Sequence, residues 1–166
     1  DNAPSFPKFN YVRSGDLLML KNLLCASAVA VLFAGVSFAE EISLEGIKCP
    51  VSGKPAVEAG VADHNGGKVY FCCPNCPKAF AANTVKFAAK ANLQLVQTGQ
   101  AKQFQCPLKE KPVKETLSVT VESVEVGLCC PGCKKKASSL EGDALVNLFF
   151  SDAVFKKGFK VGEGDN

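Results

Sequence analysis

A four-cysteine pattern occurs twice in this chain, and it limits the possible folds more than any other feature. Each copy has one early cysteine, a gap of 22 residues and then a Cys-Cys-Pro-x-Cys segment, and the second copy follows the first at an offset of 57 residues. The cysteines are Cys49, Cys72, Cys73 and Cys76 in the first copy and Cys106, Cys129, Cys130 and Cys133 in the second. An internal repeat at a fixed offset indicates two similar structural units.

The polar segment Thr98-Gly99-Gln100 separates the two copies. We therefore expect a first module over residues 40–99 and a second over residues 100–166. Modules of this size, about 60 residues each, bury little apolar surface, and a metal ion or a disulfide bond often stabilises them.

Each copy contains a hairpin pattern. Residues 63–67, Asp-His-Asn-Gly-Gly, predict a turn between strands over 57–62 and 68–72. Alternating apolar and polar residues predict the second pair of strands over 117–121 and 124–128.

Helices are expected after each Cys-Cys pair, because Pro74 and Pro131 suit the first turn of a helix. A further helix fits residues 84–96, and a less regular one fits residues 144–150. The apolar face predicted for the first of these contains Val85, Ala88, Ala89, Leu93 and Val96. Residues 158–164 read as a polar tail.

These elements place one cysteine of each copy on an early turn and three where a strand passes into a helix. The predicted fold class is α+β: two tandem small modules, each a β-hairpin plus a helix that resembles a treble clef around one metal ion. Thiolate clusters of this kind bind tetrahedral zinc, and soft thiolates also favour copper(I). Cys72 and Cys76 are four residues apart, a spacing that puts both sulfurs on one side of a helical turn. All eight cysteines are therefore candidate ligands, with about one ion per module.

His64 is the single histidine of the chain. The matching residue of the second copy is Val121, so the repeat does not require a histidine for metal binding. We expect His64 to be a solvated loop residue.

The segments CPVSGKP and KVYFCCPNCPKAF resemble the YHS and TRASH-like metal-binding modules. The resemblance implies that the ligands are Cys49, Cys72 and Cys76, and Cys106, Cys129 and Cys133. Ser52 stands where many members carry another cysteine, which leaves the fourth ligand open, with Cys73 and Cys130 as the nearest candidates. The family implies heavy-metal handling such as copper or zinc sensing, trafficking or detoxification.

The N-terminal region has the layout of a secretory signal peptide over residues 19–39. Met19 and Lys21 precede an uncharged stretch rich in Ala, Val and Leu, and Ser37-Phe38-Ala39 supplies small residues for cleavage. We interpret residues 1–18 as a non-native upstream extension. The protein is then expected in the periplasm or outside the cell, with no stable membrane anchor after cleavage.

The sequence thus predicts an exported metal-binding protein that is not an enzyme. Its expected partners are metal ions and a protein that receives them. Nucleic acid is not expected, because the net charge is only +3 and the basic residues are scattered. Two alternatives stay open: a disulfide-stabilised structural or interaction protein, and a thiol-disulfide oxidoreductase that uses the two C-x-x-C segments.

Overall fold

The computed structural model of the protein describes residues 42–162, which belong to one compact unit. The predicted signal peptide and the upstream extension lie outside the described residues. The elements, in chain order, are β1 (Val57–His64), β2 (Gly67–Phe71), α1 (Asn75–Ala82), α2 (Thr84–Gln97), β3 (Ala101–Gln103), β4 (Lys114–Val121), β5 (Val124–Leu128), α3 (Pro131–Ser138), α4 (Gly142–Phe150), α5 (Asp152–Gly158) and β6 (Phe159–Val161). The described part of the chain is therefore mixed α+β, as predicted, whereas the treble-clef assignment stays a prediction.

The two predicted hairpins are confirmed. β1 pairs with β2, and β4 pairs with β5, both antiparallel. The first turn consists of Asn65 and Gly66, both with positive φ, at 50° and 89°. Asn-Gly is the pair that a two-residue turn of this hand prefers, because neither residue is strained there. The register shifts between Val57 and Gly60 in the first hairpin and at the matching place in the second. The two repeats therefore share this irregularity of strand pairing as well as the cysteine spacing.

The helices that follow the cysteines are also confirmed. α2 begins after Asn83, whose side chain accepts a hydrogen bond from the backbone N–H of Lys86 at 3.3 Å. The prediction of the apolar face is wrong for one residue, because the Val85 side chain is 88% exposed. Val85 lies in the first turn of α2, and the helix packs through residues further along, including Ala91 and Leu95, which are fully buried.

The two repeats share one hydrophobic core, in which residues of both copies pack together. β3 pairs antiparallel with β6, with Lys102 opposite Lys160. The interpretation of residues 158–164 as a polar tail is therefore wrong for the part that the structure describes. Phe159, the first residue of β6, is buried and stacks on Phe155 with ring centroids 5.2 Å apart. This aromatic contact fixes the end of the second repeat against the core.

A cluster of polar side chains also joins the repeats. Asn92 of α2 is fully buried, and its amide donates hydrogen bonds to the carbonyl of Phe150 and to Asp152 Oδ1, both at 2.8 Å. Asn65 of the first hairpin turn donates to Asn92 Oδ1 at 2.8 Å. Every polar atom of Asn92 thus has a partner, and two of the three bonds reach the second repeat.

No helix among residues 42–162 combines the length and the apolar character that crossing a membrane requires.

Candidate metal centre

Each early cysteine lies in a tight turn that has the same backbone hydrogen bonds in both repeats. The N–H of Cys49 donates to the carbonyl of Lys54 at 2.7 Å, and the N–H of Gly53 donates to the carbonyl of Cys49 at 2.8 Å. In the second repeat the corresponding bonds join Cys106 to Lys111 at 2.9 Å and Glu110 to Cys106 at 2.8 Å. The turn holds the sulfur under the strand-to-helix junction, where Cys49 and Cys106 are almost completely buried.

This turn requires a residue with positive φ. Gly53 has φ of 72° in the first repeat, and Glu110 has φ of 54° at the matching position. Glycine adopts this conformation without steric cost, whereas a residue with a Cβ atom does not. The second turn is therefore the more strained of the two.

The other two cysteines of each cluster come from the junction itself. Cys72 directly follows β2, which ends at Phe71, and Cys76 lies in the first turn of α1. In the second repeat, Cys129 directly follows β5 and Cys133 lies in the first turn of α3. Since a helical turn spans about four residues, each pair is brought to one side of the helix start.

Three sulfurs meet in each repeat. The Sγ atoms of Cys49, Cys72 and Cys76 all lie within 4.8 Å of one another, and so do those of Cys106, Cys129 and Cys133. We call these sets the first triad and the second triad. Each of the two could hold a metal ion, and the chain segments that supply them are those of the repeated cysteine pattern.

The separations within the triads suit a tetrahedral thiolate site. Sulfurs bound to zinc at about 2.3 Å stand about 3.8 Å apart at tetrahedral angles. The Sγ atoms of Cys72 and Cys76 are 3.6 Å apart. In the second triad, Cys133 Sγ lies 3.9 Å from that of Cys129 and 4.0 Å from that of Cys106. An ion would therefore need only a small adjustment of the side chains.

Cys73 and Cys130 lie beside the triads. Each has its Sγ atom 3.4 Å from one triad member, Cys76 and Cys133 respectively. Neither belongs to the set of sulfurs that are all mutually within 4.8 Å. Both are half-buried, and all eight cysteines that the structure describes are free thiols. Whether Cys73 and Cys130 act as fourth ligands stays a prediction.

Hydrogen bonds prepare the buried early cysteine of the first triad for the thiolate form. Burial opposes ionisation, but bonds from the Ser52 side chain and from the backbone groups of Cys72, Ser52 and Val51 outweigh it and lower the pKa of Cys49 to about 7. In the second repeat, backbone bonds from Cys129, Leu108 and Lys109 likewise overcome burial and lower the pKa of Cys106. A thiolate is the form that binds metal.

The pKa of the helix cysteine of each triad, Cys76 or Cys133, is shifted in the opposite direction. The bond to Cys73, together with burial and the other two sulfurs, raises the pKa of Cys76 to about 12. Burial and the neighbouring sulfurs raise the pKa of Cys133 as well. Hydrogen bonding to the neighbouring sulfurs and burial both favour the protonated thiol here, and a cation placed among the sulfurs would favour the thiolate instead.

Ser52 makes a contact that the cysteine pattern alone did not predict. Its hydroxyl lies 3.1 Å from Cys72 Sγ. The matching residue of the second repeat is Lys109, so the surroundings of the two triads differ at this point.

The expectation that His64 is solvated is wrong. Its side chain is 7% exposed and lies at the junction of the repeats, with Nε2 3.6 Å from Asp152 Oδ1 and the ring packed edge-on against Phe80. The turn of the hairpin is so short that His64 is the last residue of β1, and its side chain faces the core. His64 belongs to neither triad.

The arrangement thus consists of two three-thiol clusters, each compatible with one metal ion. No protein-family model, curated protein or solved structure matches this chain. The functional assignment therefore depends on the geometry and chemistry of the triads.

Proposed function

We propose that this protein is an exported, non-enzymatic metal-binding protein that binds, buffers or passes on a soft or borderline metal, copper(I) or zinc, with one ion at each triad. The observation that carries the proposal is the convergence of three buried or half-buried sulfurs, all within 4.8 Å of one another, at the same place in both repeats. Thiolate sets of this kind favour these two metals over hard cations, which prefer oxygen ligands.

We further propose that the repeats are YHS- or TRASH-like modules. The triads consist of the six cysteines that the resemblance implies as ligands. A hairpin followed by a helix brings them together, which supports the treble-clef interpretation without establishing it.

The proposed partners are the metal ions and a protein that exchanges them, in the periplasm or outside the cell. This location depends on the predicted signal peptide over residues 19–39. Sequencing of the exported protein is expected to find Glu40 at its N-terminus. A different first residue would contradict the predicted cleavage site, and retention of the protein in the cytoplasm would contradict export. Neither result bears on metal binding.

The experiment that tests metal binding is elemental analysis of protein purified under reducing conditions. We expect about two equivalents of zinc or copper per chain. Cys72→Ser and Cys129→Ser are each expected to lose about one equivalent, because each removes one sulfur from one triad. Unchanged metal content in both variants would reject the proposal.

Cys73→Ser and Cys130→Ser are the matched variants for the fourth ligand. They change the neighbouring cysteine, which lies outside the triad in each case. Retention of metal with a similar affinity would define three-thiol sites, whereas a loss comparable to that of Cys72→Ser would assign a fourth thiolate.

The alternative of a disulfide-stabilised protein makes a different prediction for the same samples. Alkylation under denaturing, non-reducing conditions would then find the eight cysteines paired in freshly exported protein, and added metal would not bind. Eight alkylated thiols together with bound metal would exclude that alternative.

A further inference from the structure

A thiol that the triads do not use lies beside each of them. Cys73 and Cys130 are half-buried, and each touches the triad cysteine three residues further along. The same contact, at 3.4 Å, occurs in both repeats. A thiol that lies outside the triad but within contact distance of a triad cysteine in both copies suggests a reaction between the two sulfurs.

The local backbone favours a bond between these sulfurs. The N–H of Cys76 donates to the carbonyl of Cys73 at 3.2 Å, and the N–H of Cys133 donates to the carbonyl of Cys130 at 3.1 Å. Each pair is thus already folded into one turn at a helix start, where side chains three residues apart face the same side. Since a disulfide bond is about 2.05 Å long, the sulfurs need to approach by roughly 1.4 Å.

The other sulfurs are less suited to start such a reaction. Cys49 and Cys106 are at most 1% exposed, so a second molecule does not reach them in the folded protein. Cys72 and Cys73 are adjacent in sequence, and neighbouring cysteines cannot readily bond to each other. Cys73 and Cys130 combine partial exposure with the shorter sulfur contact, 3.4 Å, against 3.6 Å between Cys72 and Cys76 and 3.9 Å between Cys129 and Cys133.

We propose that Cys73–Cys76 and Cys130–Cys133 are thiol-disulfide exchange sites whose oxidation by a low-molecular-weight disulfide empties the adjacent metal triad. This inference rests on the proposed metal-binding function. Cys76 and Cys133 are the shared members: each is a triad ligand and also the partner in the new disulfide bond. Oxidation of the Cys73–Cys76 pair leaves the first triad with only two thiol ligands, Cys49 and Cys72.

The exchange proceeds in two steps. The Cys73 thiolate attacks one sulfur of the disulfide R–S–S–R, so that a Cys73–S–S–R bond forms and one R–S⁻ leaves. The Cys76 thiolate then attacks the Cys73 sulfur, the protein disulfide forms and the second R–S⁻ leaves. The two cysteines lose two electrons, and R–S–S–R gains them. The protons of the cysteine thiols pass to the leaving thiolates, and water supplies the proton that a metal-bound Cys76 lacks.

The consequence for the metal follows from the ligand count. A disulfide sulfur carries no negative charge and is a poor ligand, so the ion keeps two thiolates instead of three. Reduction by a dithiol reverses the reaction and restores the triad. The proposed site therefore connects the redox state of the surroundings with metal release.

The test uses the full chain loaded with zinc and treated with oxidised glutathione. Zinc release is followed with a chromogenic chelator, and the disulfides are mapped by mass spectrometry after alkylation. We expect both ions to leave while Cys73–Cys76 and Cys130–Cys133 bonds form, and dithiothreitol to restore binding. The Cys73→Ser/Cys130→Ser double variant is expected to release zinc more than about tenfold more slowly.

Two outcomes would overturn the inference: release from the double variant at the rate of the unchanged protein, or a disulfide map in which the bonds join other cysteines. If the double variant binds no zinc at the outset, the disulfide map of the unchanged protein decides the question. The zinc content before oxidation separates the two proposals. A chain that binds neither zinc nor copper(I) contradicts the proposed function, whereas bound zinc that glutathione disulfide does not release contradicts only the exchange sites.

Discussion

The buried amide of Asn92 should be a main determinant of how firmly the repeats are joined. Its side chain makes three hydrogen bonds of 2.8 Å, with Asn65, the Phe150 carbonyl and Asp152. Asn92→Ala removes all three. The Phe150 carbonyl is part of a fully buried residue, so it is left without this partner in a place that water does not easily enter.

The expected loss can be worked out from these contacts. Each hydrogen bond contributes about 1 kcal/mol net, and an unsatisfied buried group costs a further 1–3 kcal/mol. The higher helix propensity of alanine offsets about 0.5 kcal/mol of this loss in the free energy of unfolding. We therefore expect Asn92→Ala to lower the free energy of unfolding by about 3.5–5.5 kcal/mol. Asn92→Asp should cost more at neutral pH, since it replaces both donors with a carboxylate beside Asp152.

The assay is urea unfolding followed by circular dichroism, in reducing buffer with a chelator so that bound metal does not contribute. With a slope of about 2 kcal/mol per M, the midpoint should fall by roughly 2 M. Asn147→Ala is the matched control, because Asn147 lies exposed on α4. A change below about 1 kcal/mol for Asn92→Ala would refute the view that these bonds hold the repeats together.

Three further predictions follow from single positions. Burial lowers the pKa of His64 below its ordinary value of 6.5, so the unfolded chain binds more protons below that value; stability is expected to fall between pH 7 and 5, and His64→Phe should remove this part of the loss in chemical unfolding curves. Glu110→Gly should raise the free energy of unfolding by about 0.5–1 kcal/mol, since the position has the positive φ that Gly53 adopts in the first repeat. Gly158→Ala should destabilise the protein by more than about 2 kcal/mol and lower metal content by one equivalent, because its Cβ would lie 2.5 Å from that of Pro107, next to Cys106.

Each of these has its own control. Glu110 also forms an ion pair with Lys157 at 2.8 Å, so Glu110→Gly is compared in the Lys157→Ala background, where this ion pair is absent. If the free energy of unfolding does not rise in that background, the strain argument is contradicted. Gly132→Ala is the control for Gly158→Ala, because its nearest atom is 3.8 Å away and its helical position favours alanine. Parallel pH curves for the unchanged protein and His64→Phe would show that the histidine does not contribute.

Local spacing accounts for most of what could be predicted. The Asn65-Gly66 turn, the proline-led helices and the four-residue interval between Cys72 and Cys76 are short-range features, and each has a direct geometric consequence. Repetition of the same intervals in both copies made the hairpins and the grouping of the cysteines predictable. The fourth cysteine of each copy was not decided in this way, because neighbours in sequence point in different directions and the side-chain geometry determines which of them joins the triad.

Two of the errors concern contacts between the repeats. His64 was expected in solvent and residues 158–164 in a tail, and both expectations treated a segment as if it had no neighbour beyond its own copy. The third error is local: Val85 was expected in the core, but it lies in the first turn of α2 and is exposed. In the structure, β3 pairs with β6, and Asp152 approaches His64 across the junction. These long-range contacts leave no periodic signal in either partner.

The sequence by itself therefore determined two repeated cysteine clusters, each on a hairpin and a helix, because turn residues and fixed intervals act over a few residues. Only the tertiary structure decided that the copies share a core, that Asn92 and His64 are buried at their junction, and that Cys73 and Cys130 contact the triads from outside. The physical reason is distance along the chain. Packing between segments more than 50 residues apart depends on the shape and polarity of whole surfaces, which no single motif encodes.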